Sequence, residues 1–331
     1  MVNLPMALPE SHREPRTEPT ADLGMDRSVV VPDFFSAATS LREVFDSRFQ
    51  RFRADDPDSF VWDYWHVPGQ YTYHRTYGDR YFPKPLVRAF LDRLQSWGME
   101  TLGCASVTPP WLSYYVDGCV QELHADVPHG PWAYVFSLTR WDDRGFSGGE
   151  TLLMRPHHMD FWRGFDPSEA LETYSLFDEI PACFNQLTVF DARVPHGVRA
   201  VSGTRDPLHG RVVLHGWFDY PRLLASEDLQ EDKALTRLKL VATTLQRRLE
   251  QFDAVTGLLT ARVDFGDGGQ ARSARVLTNT LVSTVGEPEA PGEVITAVLR
   301  ALSELRLPGG SDGTWAVLPF RLPKATELAG V

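Results

Sequence analysis

Leu123-His124-Ala125-Asp126 is the stretch on which the fold turns, and it is read together with Phe190-Asp191-Ala192-Arg193-Val194-Pro195-His196-Gly197-Val198. In an extended strand alternate side chains share a face, so His124 and Asp126 can point at one ion while Ala125 points away. A distant strand must then supply the third ligand, and His196 is the candidate. Two imidazoles and one carboxylate on one face of an octahedron leave the opposite positions open, which suits a divalent iron that must hold a co-substrate and dioxygen together. A redox reaction is the expectation these three residues raise.

The segment Gly210-Arg211-Val212-Val213-Leu214-His215-Gly216-Trp217-Phe218 alternates as a strand, with Arg211, Val213, His215 and Trp217 on one face. An arginine in a buried strand is costly unless an anion pairs with it. A guanidinium fork fits a carboxylate bidentately, so Arg211 beside an iron site points to a carboxylate-bearing co-substrate such as 2-oxoglutarate.

Four motifs in this order resemble the Fe(II)- and 2-oxoglutarate-dependent dioxygenases, in particular their prolyl 4-hydroxylase-like branch. Tyr115-Val116-Asp117-Gly118 leading into His124-Ala125-Asp126 is similar to the family's strand ahead of its H-x-D motif, and Ser147-Gly148-Gly149-Glu150-Thr151 resembles its Gly-Gly-Glu-Thr turn. Asn185 to Val198 resembles the strand and loop that carry the distal histidine, and Gly210 to Phe218 resembles the closing strand. The resemblance covers residues 28–222 and implies a mostly β double-stranded β-helix, or jelly roll, with buttressing helices. It further implies iron held by His124, Asp126 and His196. The 2-oxoglutarate carboxylate would pair with Arg211, and Tyr115 or Ser137 would add a hydrogen bond.

The family's basic residue usually follows the distal histidine at a count that here falls on Arg205. Arg211 is preferred, because Asp206-Pro207 marks a turn just after Arg205 whereas Arg211 opens an ordered strand. His129, in a Pro-His-Gly-Pro stretch, reads as an exposed loop residue, and His157 and His158 read as bordering a substrate entrance at most. His215 reads as a satisfied core histidine, with a place near the metal as the alternative.

The chain has 331 residues, 43% of them hydrophobic, enough for two domains with their own cores. A formal net charge of -11 argues against unassisted nucleic-acid binding and favours attraction of basic peptides. Cys104, Cys119 and Cys183 lack metal-type spacing. No apolar run is long enough for a membrane span, and residues 1–27 read as a disordered leader without a signal peptide's apolar stretch. A cytoplasmic protein with no membrane contact is expected.

Helices are expected from Ser36 to about Arg48 and from Pro83 to Trp97. The aromatic segments Trp62 to His66 and Tyr71 to His74 read as packed core edge, with the substrate mouth as the alternative. Residues 223–254 read as a connecting helix from Ser226, its N-cap, to Phe252. Residues 255–331 then read as a small α+β domain of order ββαβ. This tail resembles a TonB-type C-terminal domain, which implies a role in protein contact.

The expected activity is hydroxylation of an unactivated C–H bond in a peptide, protein or amino-acid-like substrate, with release of succinate and CO2 and with ascorbate as a supporting reductant. Two rivals are a non-catalytic metal-binding module for sensing or interaction, and a zinc hydrolase. The hydrolase would leave Arg211 without an anion and lacks an adjacent general-base glutamate.

Overall fold

The computed structural model describes residues 27–50, 62–163, 166–168, 170–172, 175–229, 232–287, 289–308 and 310–322. Apart from Arg27, the expected leader lies outside the described residues. The first unit runs β1 (Ser28–Val31), α1 (Ala38–Gln50), β2 (Asp63–Val67), β3 (Tyr71–Tyr77), α2 (Gly78–Tyr81), α3 (Lys84–Thr101), β4 (Trp111–Tyr115), β5 (Val120–His124) and β6 (Trp132–Ser137). It continues with β7 (Phe146–Ser147), β8 (Thr151–Met154), α4 (Pro156–Arg163), β9 (Phe177–Ile180), β10 (Leu187–Asp191), β11 (His196–Val198), β12 (Ser202–Gly203) and β13 (Arg211–Phe218).

Its strands pair antiparallel in the order β1-β10-β6-β13-β4-β3-β5-β11-β8-β9, with β2 on the other edge of β3 and β7 paired to β12. Strand β3 bonds β4 from His74 to Tyr77 and β5 at Tyr71 and Thr72, so one edge feeds two sheets that face each other. This is the jelly roll.

Period-two alternation assigns each face its work. On the outer face, Trp132, Tyr134 and Phe136 of β6 join Val212, Leu214 and Phe218 of β13. They pack against Phe45 of α1 and against Val87, Phe90, Leu94 and Trp97 of α3, whose spacing places them on one helical stripe. Each such side chain, fully buried, contributes about 1.5–3 kcal/mol. The inner face is left to Arg211, Val213, His215 and Trp217. The Gly148-Gly149 turn holds φ near +78° and +80°, and a Cβ at Gly148 would strike the Ala200 carbonyl, so only glycine fits there.

The second unit is α+β. It consists of β14 (Leu224–Ala225), α5 (Asp232–Leu249), β15 (Val255–Phe265), β16 (Ala271–Asn279), β17 (Val282–Ser283), α6 (Ala290–Ser303) and β18 (Trp315–Leu322). Its main sheet has the order β14-β18-β15-β16. The helix expected from Ser226 starts later, because the Ser226 hydroxyl accepts the Trp315 N–H at 3.2 Å and its carbonyl closes the turn to Leu229. Instead of spanning open space, α5 places Ala234, Leu238, Leu245 and Leu249 in the same apolar core as Leu259, Val298 and Phe320.

The two units touch at Gly103 and at Arg193. Gly103, at φ +72°, packs so closely that a Cβ would come within 2.7 Å of Thr260 and 2.9 Å of Val317. Arg193 donates a hydrogen bond to the Thr280 carbonyl. Among the described residues no helix is long and apolar enough to cross a membrane.

Candidate active site

His124 closes β5, His196 opens β11, and the two are direct cross-strand partners. Asp126 lies just beyond β5, where its backbone N–H donates to the Ala192 carbonyl of the loop before His196. One candidate ligand atom from each of the three residues falls within 4.8 Å of the others.

The protonation of both rings follows from their partners. His124 Nδ1 lies 2.8 Å from the Glu122 carbonyl and His196 Nδ1 lies 2.8 Å from the Val194 carbonyl. A carbonyl only accepts, so each Nδ1 carries a proton, and Nε2 is the nitrogen of each ring left to serve as a ligand. Those nitrogens face the Asp126 carboxylate at 3.6 Å and 3.3 Å. Three acceptors converging in this way repel one another unless a proton or a cation lies between them, and the set suits a divalent metal. Burial, then the neighbouring His196, holds the His124 imidazole below its ordinary pKa. For Asp126, burial works upward but is outweighed by His196, His124 and the Trp217 N–H, which hold the carboxyl below the usual range.

The cavity beside this cluster is lined by Gln121, Thr151, Phe190, Val213, His215 and Trp217, and it also reaches Arg211. Arg211 is 1% exposed; its Nη2 donates to Thr151 Oγ1 at 3.2 Å, while Nε and Nη1 are buried without a partner. Burial pushes its pKa down, opposed by Tyr115 and Glu150. A buried cation with two unmade hydrogen bonds is costly, and an arriving carboxylate would remove that cost. The residues present therefore fit a metal at one end of the cavity and a carboxylate at the other. Arg205, in contrast, has an 88% exposed side chain 3.7 Å from Asp117.

The remaining expected residues separate. Tyr115 is buried under the Arg211 guanidinium, its hydroxyl donating to Gln121 Oε1 at 3.3 Å, and burial raises its pKa. Ser137 donates to the Ala182 carbonyl at 2.7 Å and accepts from Thr139 N at 3.1 Å, so its hydroxyl proton is already committed. His215 lines the cavity with Nε2 2.8 Å from Ser113 Oγ, and burial pushes its pKa down to about 3. His129 is exposed but its ring lies over Trp217, 4.4 Å between centroids. His158 is buried with Nε2 3.2 Å from the Ser175 carbonyl.

Two neighbours escape the sequence reading. Trp217 Nε1 donates to Asp126 Oδ2 at 3.0 Å, and its place on the Arg211 face was the available signal. Gln121 Nε2 lies 3.2 Å from His124 Nε2. Three residues apart on a regular strand they would face opposite ways, but the β5–β11 register shifts between His196 and Val198.

No family model and no curated protein matches this chain. Among solved structures it is similar to a Pseudomonas putida prolyl-4-hydroxylase, at 15% identity and TM-score 0.41, over 60% of this chain and 95% of that one. A Trichoplax adhaerens prolyl hydroxylase, solved with a hypoxia inducible factor peptide fragment, aligns at 15% identity and TM-score 0.40, covering 60% and 86%. The epimerase SnoN from nogalamycin biosynthesis, described as non-heme and alpha-ketoglutarate dependent, aligns at 13% identity and TM-score 0.39, covering 58% and 75%.

Proposed function

We propose that this chain is an Fe(II)- and 2-oxoglutarate-dependent dioxygenase that hydroxylates an unactivated C–H bond of a peptide, protein or amino-acid-like substrate. The observation that carries the reading is the pairing of the His124, Asp126 and His196 cluster with Arg211, which lines the same cavity and has two buried nitrogens, Nε and Nη1, without partners. His124 and His196 would hold iron through Nε2, and Asp126 through its carboxylate. Bound iron would supply the redox chemistry that couples oxidative decarboxylation of 2-oxoglutarate to succinate with oxidation of the substrate.

The protein's own part is orientation and shielding. The Glu122 and Val194 carbonyls fix both imidazole rings, and Trp217 fixes the Asp126 carboxylate. Arg211 would receive the distal carboxylate of 2-oxoglutarate, with Thr151 holding the guanidinium from behind and Tyr115 beneath it. Phe190, Val198 and Val213 line the space between and would exclude water. For Ser137 the geometry favours bracing of the Ala182 carbonyl over contact with the co-substrate.

The unit from 255 to 331 is proposed to serve protein contact, supported by the confinement of the metal-type cluster, among the described residues, to the jelly roll. A cytoplasmic setting belongs to the same proposal and is supported by three free thiols, two of them buried. The test is succinate formation by purified protein with Fe(II), ascorbate and 2-oxoglutarate. Wild type should turn over slowly without prime substrate and Asp126→Ala should not; equal succinate from both would refute the ligand assignment.

A further inference from the structure

The inner face of β3 carries a second guanidinium that the preceding chemistry does not use. Alternation puts Tyr71, Tyr73 and Arg75 on that face. Tyr71 meets the His124 ring edge-on at 5.2 Å, and Tyr73 stacks on Tyr115 at 5.2 Å. Arg75 is the next residue along and is paired in register with Ser113, whose hydroxyl lies 2.8 Å from the cavity-lining His215. Val213 follows Ser113 in the same row, so Arg75 stands two strands from the cavity wall, about 10 Å away.

Its surroundings are unusual for a cation. The guanidinium carbon lies 3.5 Å from the centroid of the Trp65 ring and 4.1 Å from that of Trp111. Its Nε is buried without a hydrogen-bond partner. Asp63 is its neighbour in register on β2, yet among the described residues the ion pairs of this part of the chain are Arg42 with Asp46 and Arg88 with Asp92, and none includes Arg75. Indole faces attract a cation by about 0.5–2 kcal/mol but do not neutralise it. Arg75 itself is only partly buried, Trp65 is 37% exposed, and the neutral Tyr73 phenol is the one side chain that hydrogen-bonds the guanidinium among the described residues. On a chain of net charge -11, a local cation is what would let an acidic substrate approach.

We propose that Arg75, held between Trp65 and Trp111, is the receptor for a carboxylate of the prime substrate, which makes the substrate class acidic peptides or acidic amino-acid-like molecules. The acid group sits several atoms from the carbon attacked, because Arg75 is displaced sideways from the cavity. A carboxylate is favoured over a phosphate because it is planar and can lie in the guanidinium plane between the same two rings. This inference rests on the oxygenase reading and deepens it.

The experiment uses the full chain loaded anaerobically with Fe(II) and 2-oxoglutarate. Its probes are a pool of short peptides rich in Asp and Glu, the same pool with every carboxyl amidated, and a phosphorylated pool. Binding is read from the metal-to-ligand charge-transfer band and by calorimetry. The acid pool should bind wild type and the amidated pool should not. Arg75→Gln should weaken the acid pool at least about tenfold, and Arg75→Lys, which keeps the charge but loses the fork, should lie between. Equal binding of acid and amide, no binding of the acid pool, preference for the phosphorylated pool, or unchanged affinity in a folded Arg75→Gln protein would each overturn the assignment. Aerobic succinate formation by wild type without peptide separates the two readings. Its absence removes the oxygenase reading, while its presence with indifference to acids removes only the role of Arg75.

Discussion

The jelly roll and the C-terminal unit both bury one sheet face under helices, yet they treat polar groups in opposite ways. In the C-terminal core the buried residues are apolar apart from threonines such as Thr260, Thr278 and Thr280. The inner face of the jelly roll buries Arg211, His196, Ser113 and Thr151, with Arg211 leaving two donors unmade. The C-terminal core also leaves the Thr260 and Thr278 hydroxyls without partners, but these are neutral, whereas Arg211 is a cation and costs far more to bury. The proposed function accounts for the contrast: an inner face that receives a carboxylate and a metal keeps polar groups that packing alone does not require.

Truncation is the severest way to break this comparison. A chain ending at Pro221 keeps the three candidate ligands and Arg211, but it uncovers the surface at Gly103 and frees Arg193 from Thr280. It should melt well below the full chain and still bind iron and 2-oxoglutarate. If it melts cooperatively yet binds no 2-oxoglutarate, the C-terminal unit completes the site.

Within the C-terminal core, Phe320→Ala removes a fully buried ring and should cost about 3–5 kcal/mol by denaturant unfolding. Affinity for 2-oxoglutarate in the protein that remains folded should not change. Arg211→Met should do the reverse. Replacing a buried, under-bonded cation by an apolar side chain should leave stability level or higher, while 2-oxoglutarate binding weakens by about 2–5 kcal/mol. A large loss of stability with intact binding would make Arg211 a structural residue.

Finer changes sharpen the picture. Trp217→Phe keeps an aromatic, though smaller, side chain but deletes the N–H that orients Asp126, and iron affinity should fall about 10–100-fold in a metal titration. The smallest effect belongs to Arg205→Ala, within about 0.5 kcal/mol in stability and without effect on 2-oxoglutarate binding, because its side chain is solvated. A larger loss at Arg205 than at Arg211 would reverse their roles.

Alternation along β13 was legible in the sequence because the side-chain period of a strand is set by backbone geometry, whatever lies next to it. The same holds for the apolar stripe of α3 and for the order of strands and helix after Val255. Even the choice between Arg205 and Arg211 could be argued from local turn chemistry. Asp126 lies beyond the end of β5, where its N–H bond to the Ala192 carbonyl, and not strand alternation, holds it beside His124.

What lay beyond local geometry was decided by the tertiary structure. Gln121 reaches His124 only through a register shift between two strands, and Ser226 is claimed by Trp315 of a distant strand before it can cap a helix. The Trp65 and Trp111 rings around Arg75 come from strands on either side of β3, and α5 joins the C-terminal core because Leu259 and Phe320 present an apolar sheet to it. Sequence carries the period of each element. Register, docking and the partner of each polar atom depend on contacts between elements, and those exist only once the chain has closed on itself.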